Sequence, residues 1–267
     1  MTASDIAPRF FSVADRQVFG LYHAPLGSVI LDAGVVICYA GPQEYHQLHW
    51  GAHKLAVMLA RAGLHVLRFD YSGTGDSSGA TSETSLAQWR EDVQAAVDEL
   101  KSLAGIRRVS LIGMRLGATL AWRVTTTGVR VRDMVLWDPV VSGADYVQSL
   151  EMLETRRLAD LKYPQSNQRF DNELMGYPFT AVQRAETLQI DLLTEDVGRI
   201  DRALVVSAAL TPDLTALADR LVSLGVVVTR ASVPDPSLLT TESHPTEAVL
   251  SHNIPTAIVR YLTGGGA

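Results

Sequence analysis

The sequence predicts an α/β fold: a mostly parallel central sheet with helices on both faces, and a helical insertion over the carboxyl ends of the strands. Three observations predict it. Short apolar runs alternate with amphipathic stretches of helical period along most of the chain, the rhythm of a parallel sheet. The frame Gly113-Met114-Arg115-Leu116-Gly117 stands between a strand-like run at 109–112 and a helix-like run at 118–122, where a tight strand-to-helix turn belongs. The rhythm then breaks across 142–196 and resumes, as it would around an inserted segment.

Taken in order, residues 10–13 and 17–22 read as an antiparallel pair turned at Ala14-Asp15-Arg16. Residues 33–39 form a buried strand that ends at Ala40-Gly41-Pro42, and 53–62 an amphipathic helix that begins as early as His46 and is stopped by Gly63. A strand at 65–69 leads into the turn-rich loop Asp70-Tyr71-Ser72-Gly73-Thr74-Gly75-Asp76-Ser77. Residues 85–100 form a long helix with Leu86, Trp89, Val93, Ala96, Val97 and Leu100 on one face. After the glycine frame come a strand at 133–137, ending at Asp138-Pro139, and then the irregular, charged, largely helical segment 142–196, without a strand-like run. A strand at 203–208, a helix at 214–224, a strand at 226–233 and a closing helix at 246–262, interrupted by Pro255, complete the pattern. The organisation expected is a core of 1–141 and 197–267 with 142–196 as a cap, above the strand ends where ligands bind in such sheets.

Bulk composition sets the outer bounds. A chain of 267 residues, 47% hydrophobic and 19% charged, suits one globular core with an insertion. A net charge of -6 argues against nucleic acid as a partner. The single cysteine, Cys38, lies in an apolar run and reads as a buried strand thiol; no disulfide within the chain is available, which fits a reducing cytoplasm. No segment reads as a signal peptide or has the apolar length of a membrane span, and a homo-oligomer is left open.

The frame Gly113–Gly117 matches G-x-S-x-G, the nucleophile elbow, except that Arg115 stands where serine would attack. A guanidinium stays protonated and is no nucleophile, so acyl-serine chemistry from this position is excluded. With the 67–77 strand and loop, and the order elbow, Asp213, His244, the chain resembles the α/β-hydrolase superfamily, and in particular its serine aminopeptidase-like and esterase-like members. Gly-Met-Arg-Leu-Gly-Ala together with Trp137-Asp138-Pro139-Val140-Val141-Ser142-Gly143 is similar to a bacterial subgroup that carries arginine at the elbow, whose members resemble hydrolases associated with exosortase systems or biosynthetic gene clusters. The resemblance implies a nucleophile–acid–base order of residues but no particular reaction.

His244, in a polar loop before the last helix, is the base candidate, because imidazole takes and gives protons near neutrality; a surface loop histidine is the alternative. Asp213 is the acid candidate or, just ahead of Leu214, a helix cap, and Asp138 is a second acid candidate. Arg115 either offers a fixed cation to a carboxylate, phosphate or enolate, or is locked in a salt bridge to Asp138 or Asp213. The Leu116 N–H is one oxyanion donor; Pro42 has no N–H to give, so Gln43 is the second candidate, with His46 and Met114 also expected beside the substrate. His46, His49 and His53 share helical spacing, but no ligand pattern joins them, so neither metal nor cofactor is expected. Trp50, Trp137, Tyr146, Tyr163, Tyr177 and Phe179 either line an aromatic pocket or pack in the core.

The expected function is an enzyme acting on a small acyl, carboxylate or carbonyl substrate by histidine general-base chemistry. A retired hydrolase serving as a small-molecule-binding or accessory protein is the alternative. A displaced nucleophile among Ser72, Ser77 and Ser142 is disfavoured, because none sits in an elbow.

Overall fold

Ile6–Val13 (β1) and Arg16–His23 (β2) open the chain as an antiparallel hairpin, with Val13 opposite Arg16, so Ala14 and Asp15 alone make the turn. The computed structural model describes residues 6–26, 28–159, 171–234 and 252–264. Gly34–Cys38 (β3) is buried along its whole length, as a parallel strand covered on both faces must be. Pro42–Arg61 (α1) follows, then His65–Phe69 (β4). Leu86–Ala104 (α2) starts at a capping box in which Ser85 and Gln88 satisfy each other's backbone N–H groups, and it ends at Gly105 with φ 65°.

Val109–Met114 (β5), Leu116–Val124 (α3) and Val131–Trp137 (β6) carry the chain to the break in rhythm. The segment beyond holds Gly143–Ala159 (α4), a minimal hairpin of Glu173–Leu174 (β7) and Tyr177–Pro178 (β8), and Ala181–Leu188 (α5). The hairpin corrects the expectation of no strand here; two residues per strand are too few to leave an alternating pattern in sequence. Ile200–Ser207 (β9), Pro212–Ser223 (α6), Val227–Ser232 (β10) and Asn253–Thr263 (α7) complete the order. Pro255 does not interrupt the last helix: it occupies the first turn of α7, where its missing N–H has no helical partner to lose.

The eight strands lie in the order β1-β2-β4-β3-β5-β6-β9-β10, parallel from β4 to β10. The chain leaves β3 in one direction to reach β4, then returns past β3 to β5. Right-handed crossovers running in opposite directions place α1 and α2 on opposite faces; α1 packs with α7, and α2 with α3. The carboxyl ends of β3 and β5 therefore bound the crevice at which the winding reverses, the place where an open α/β sheet receives its ligand. No helix among the described residues is long and apolar enough to cross a membrane.

Candidate active site

Two turns face each other across that crevice. After β3, Gly41 caps α1 and Pro42 takes its first position, so α1 starts a full turn earlier than His46. This sets Glu44 in the first turn, buried, facing the turn that follows β5. There Arg115 adopts φ 52° and ψ -121°, the strained geometry of a nucleophile elbow held by a non-glycine residue. Its backbone N–H donates to the Trp137 carbonyl at 3.0 Å, and Asp138 N–H donates to Val206 at 3.0 Å, so the elbow is tied to β6 and β6 to β9. The flanking glycines are fixed by contact. A Cβ on Gly113 would lie 2.3 Å from Ala118 Cα, and one on Gly117 would lie 2.1 Å from the Tyr39 carbonyl oxygen.

Arg115 Nε donates to Glu44 Oε1 at 2.8 Å, and Nη1 donates to the Asp138 carbonyl at 3.1 Å. Its salt bridge is thus to Glu44, not to the side chain of Asp138 or Asp213 as the sequence suggested. Glu44 Oε2 accepts from the Tyr146 hydroxyl at 2.8 Å, and the guanidinium carbon lies 5.5 Å from the centre of the Tyr146 ring. Burial alone would lower the pKa of Arg115, but Glu44, Tyr146 and Asp138 outweigh it and raise it. Burial and the Glu44 charge push the Tyr146 phenol well up, which keeps it a donor. Among the described residues, Arg115 Nη2 has no hydrogen-bond partner.

A cavity of about 220 Å³ opens beside this pair. It is lined by Arg115, Asp138 and Ser207 from the strand ends, by Asp213 from the start of α6, and by Ser142, Asp145, Tyr146 and Ser149 from the segment that follows β6, among others. Asp138 holds φ 45°, a left-handed position that aspartate tolerates better than most residues. Asp213 is exposed at the start of α6. Its expected cap role falls to Thr211, whose hydroxyl accepts from Leu214 N–H at 3.3 Å, because Pro212 begins the helix two residues earlier than expected. Arg115, Asp138 and Asp213 therefore share one cavity. His244 lies outside the described residues, as does Tyr163.

The remaining candidates fall elsewhere. Met114 is 1% exposed and packs in the core: the last strand residue before the turn points into the sheet's cover, away from the cavity. Leu116 lines no part of the cavity with its side chain, which is buried, but its backbone N–H stands at the first position of α3, where no intrahelical acceptor exists. Gln43 is half-buried in the first turn of α1, outside the cavity lining. His46 is exposed and sits against Tyr45 and Tyr177. His49 Nδ1 lies 3.1 Å from the Tyr45 hydroxyl, which donates to Asp70. Among the described residues no group of three or more His, Cys, Asp or Glu is arranged to hold a metal. Among the described residues of the proposed aromatic pocket, Tyr146 alone lines the cavity; Trp137 and Phe179 are core, and Trp50 is exposed. Ser72 and Ser77 are committed to Asp92 and to the Asp70 carbonyl, while Ser142 lines the cavity as a hydrogen-bond acceptor for Asp145 N–H.

Glu44 and Asp145 were not singled out from sequence as site residues. The signal for Glu44 was present in Gly41-Pro42, a helix start that would have put the glutamate in the first turn; Asp145 has a comparable mark in Ser142-Gly143-Ala144-Asp145, a helix-start pattern with the aspartate in the first turn of α4.

Comparison with known proteins agrees with the geometry. A family model described as Serine aminopeptidase, S33 (Hydrolase_4) matches residues 34–224. The human palmitoyl-protein thioesterase ABHD10, mitochondrial, is 43% identical over 54 residues, which is 20% of this chain and 16% of that protein. Its counterpart from Bos taurus is 27% identical over 125 residues, 45% of this chain and 39% of that protein. The chain thus matches well under half the length of these curated relatives. Among solved structures, Est1E from Butyrivibrio proteoclasticus with ferulic acid bound superimposes with a TM-score of 0.66 at 14% identity, covering 96% of this chain and 98% of that one. With the family model spanning more than half of its length and an elbow turn in place, the chain belongs to the serine aminopeptidase S33 family of the α/β-hydrolase superfamily.

Proposed function

We propose that the protein hydrolyses small acyl esters or thioesters with water as the nucleophile in place of an elbow serine. The observation that carries this reading is the placement of Arg115, Asp138 and Asp213 around one cavity at the carboxyl ends of the strands, in a chain of a hydrolase family. His244 takes a proton from water as the water oxygen attacks the acyl carbon, and Asp138 or Asp213 stabilises the imidazolium that forms. The carbonyl oxygen becomes an oxyanion, met by Nη2 of Arg115, which has no partner among the described residues, and by the N–H of Leu116; the guanidinium supplies the donor that Pro42 lacks. Collapse breaks the acyl–oxygen or acyl–sulfur bond, the imidazolium returns its proton to the leaving group, and a carboxylic acid and an alcohol or thiol depart. The thioesterase name of the relatives favours including thioesters among the substrates.

The Arg115–Glu44 pair also favours a second reading, a retired hydrolase that binds a small acyl compound and turns nothing over, since the ion pair occupies the nucleophile's place. A panel of aryl esters and acyl thioesters, assayed with the unmodified protein and with His244→Ala, separates the two. Turnover that is lost in the variant supports water activation. Turnover unchanged in His244→Ala, or none in the unmodified protein, sinks it.

A further inference from the structure

Arg115 is the one cation among the described residues that line the cavity, and its charge is already met by Glu44, which has 8% of its side chain exposed. Three more carboxylates, Asp138, Asp145 and Asp213, line the same space. A ligand entering here meets the donor geometry of a guanidinium without a net positive field. A bare guanidinium would clamp a carboxylate through two parallel N–H bonds. Here each edge has already given up one donor, Nε to Glu44 and Nη1 to a carbonyl, and among the described residues only Nη2 remains to meet a single oxygen. Tyr146, donating to the second oxygen of Glu44 and lying against the guanidinium, holds the glutamate in that role.

We propose that Glu44 is a specificity-determining residue that makes the cavity select uncharged acyl groups and reject carboxylates. This rests on the reading of Arg115 as the donor to an acyl oxygen. The selection has a use in hydrolysis: the substrate enters neutral and the acid product leaves ionised, repelled by the carboxylates around it. Glu44 acts through Arg115, so its effect is on which ligand binds and on how firmly the product is held.

The test is a titration, by calorimetry, of butyramide and butyrate, two ligands of nearly equal shape that differ in charge. The unmodified protein is expected to bind butyramide more tightly. Glu44→Gln keeps a side-chain oxygen for Arg115 Nε and removes the compensating charge, so butyrate affinity should rise by about tenfold or more and the preference should reverse. Asp145→Asn, at an exposed position in the cavity lining, gives a second readout should Glu44→Gln fail to fold: it should shift the butyrate-to-butyramide ratio in the same direction by a smaller factor. A preference for butyrate in the unmodified protein, no binding of either probe, or a ratio unmoved in the folded variants overturns the inference. Absence of ester and thioester turnover alongside a preference for butyramide would instead sink the catalytic reading alone.

Discussion

Arg115→Ser restores the G-x-S-x-G frame in a turn that already has the required backbone geometry, yet we expect the variant to be unstable. The substitution strands Glu44, whose carboxylate is almost fully buried and keeps only the Tyr146 hydroxyl. Breaking a buried pair by removing one partner costs about 3–5 kcal/mol. Arg115 retains 23% of its side-chain exposure and Tyr146 still donates, so the lower end of that range applies, about 3 kcal/mol. For a domain of this size that is a fall of roughly 6–12 °C in melting temperature. The double variant Arg115→Ser, Glu44→Gln removes the stranded charge and should recover most of the loss. Thermal melts at pH 7, followed by circular dichroism, read both. An Arg115→Ser melt equal to that of the unmodified protein, or a double variant no better than the single, would refute the reasoning that loss of the guanidinium strands a buried charge on Glu44.

Two further outcomes are expected. Gly117→Ala places a methyl group against the backbone oxygen of Tyr39 and should yield insoluble protein or a loss above about 3 kcal/mol in urea denaturation; a soluble variant of unchanged midpoint would contradict the contact. Burial first and then the Arg68 charge hold His23 of β2 down to about 3 and lower His49 and His53 of α1, so all three fold as neutral rings. Their folded pKa values lie below the unfolded value near 6.5, so stability is full above that pH and is lost as pH falls through it; at pH 5 His23 alone costs about 2 kcal/mol. Urea midpoints at pH 8 and pH 5 should show that drop, and His23→Gln should flatten it; an equal drop in the variant would rule out His23 as its source.

Periodicity was enough to locate the strands and helices of the sheet, because each packs one face or stripe against a shared core and that requirement is written locally. Val109 to Trp122 shows it best: an apolar strand, a glycine turn and an apolar helix specify the elbow without help from elsewhere. The ion pair escaped because Glu44 and Arg115 are far apart in sequence and meet only through the winding of the sheet. Met114 and His46 were misplaced for the converse reason: proximity in sequence to a functional turn does not decide which way a side chain points. The Arg68–His23–Tyr39 cluster gave no sequence signal, since its members come from β4, from β2 and from the residue just after β3.

The elbow constrains its neighbours more tightly than its occupant. Gly113 and Gly117 have backbone atoms 2.3 Å and 2.1 Å from where a side chain would begin, whereas the residue between them meets only a torsional demand, which even arginine satisfies. The turn is a socket: rigid at the rim and indifferent to what is plugged into it. Serine and arginine share codons one base apart, so a scaffold of this kind can exchange its reactive group in a single step and keep its shape, provided that some carboxylate stands ready across the crevice to receive the new charge.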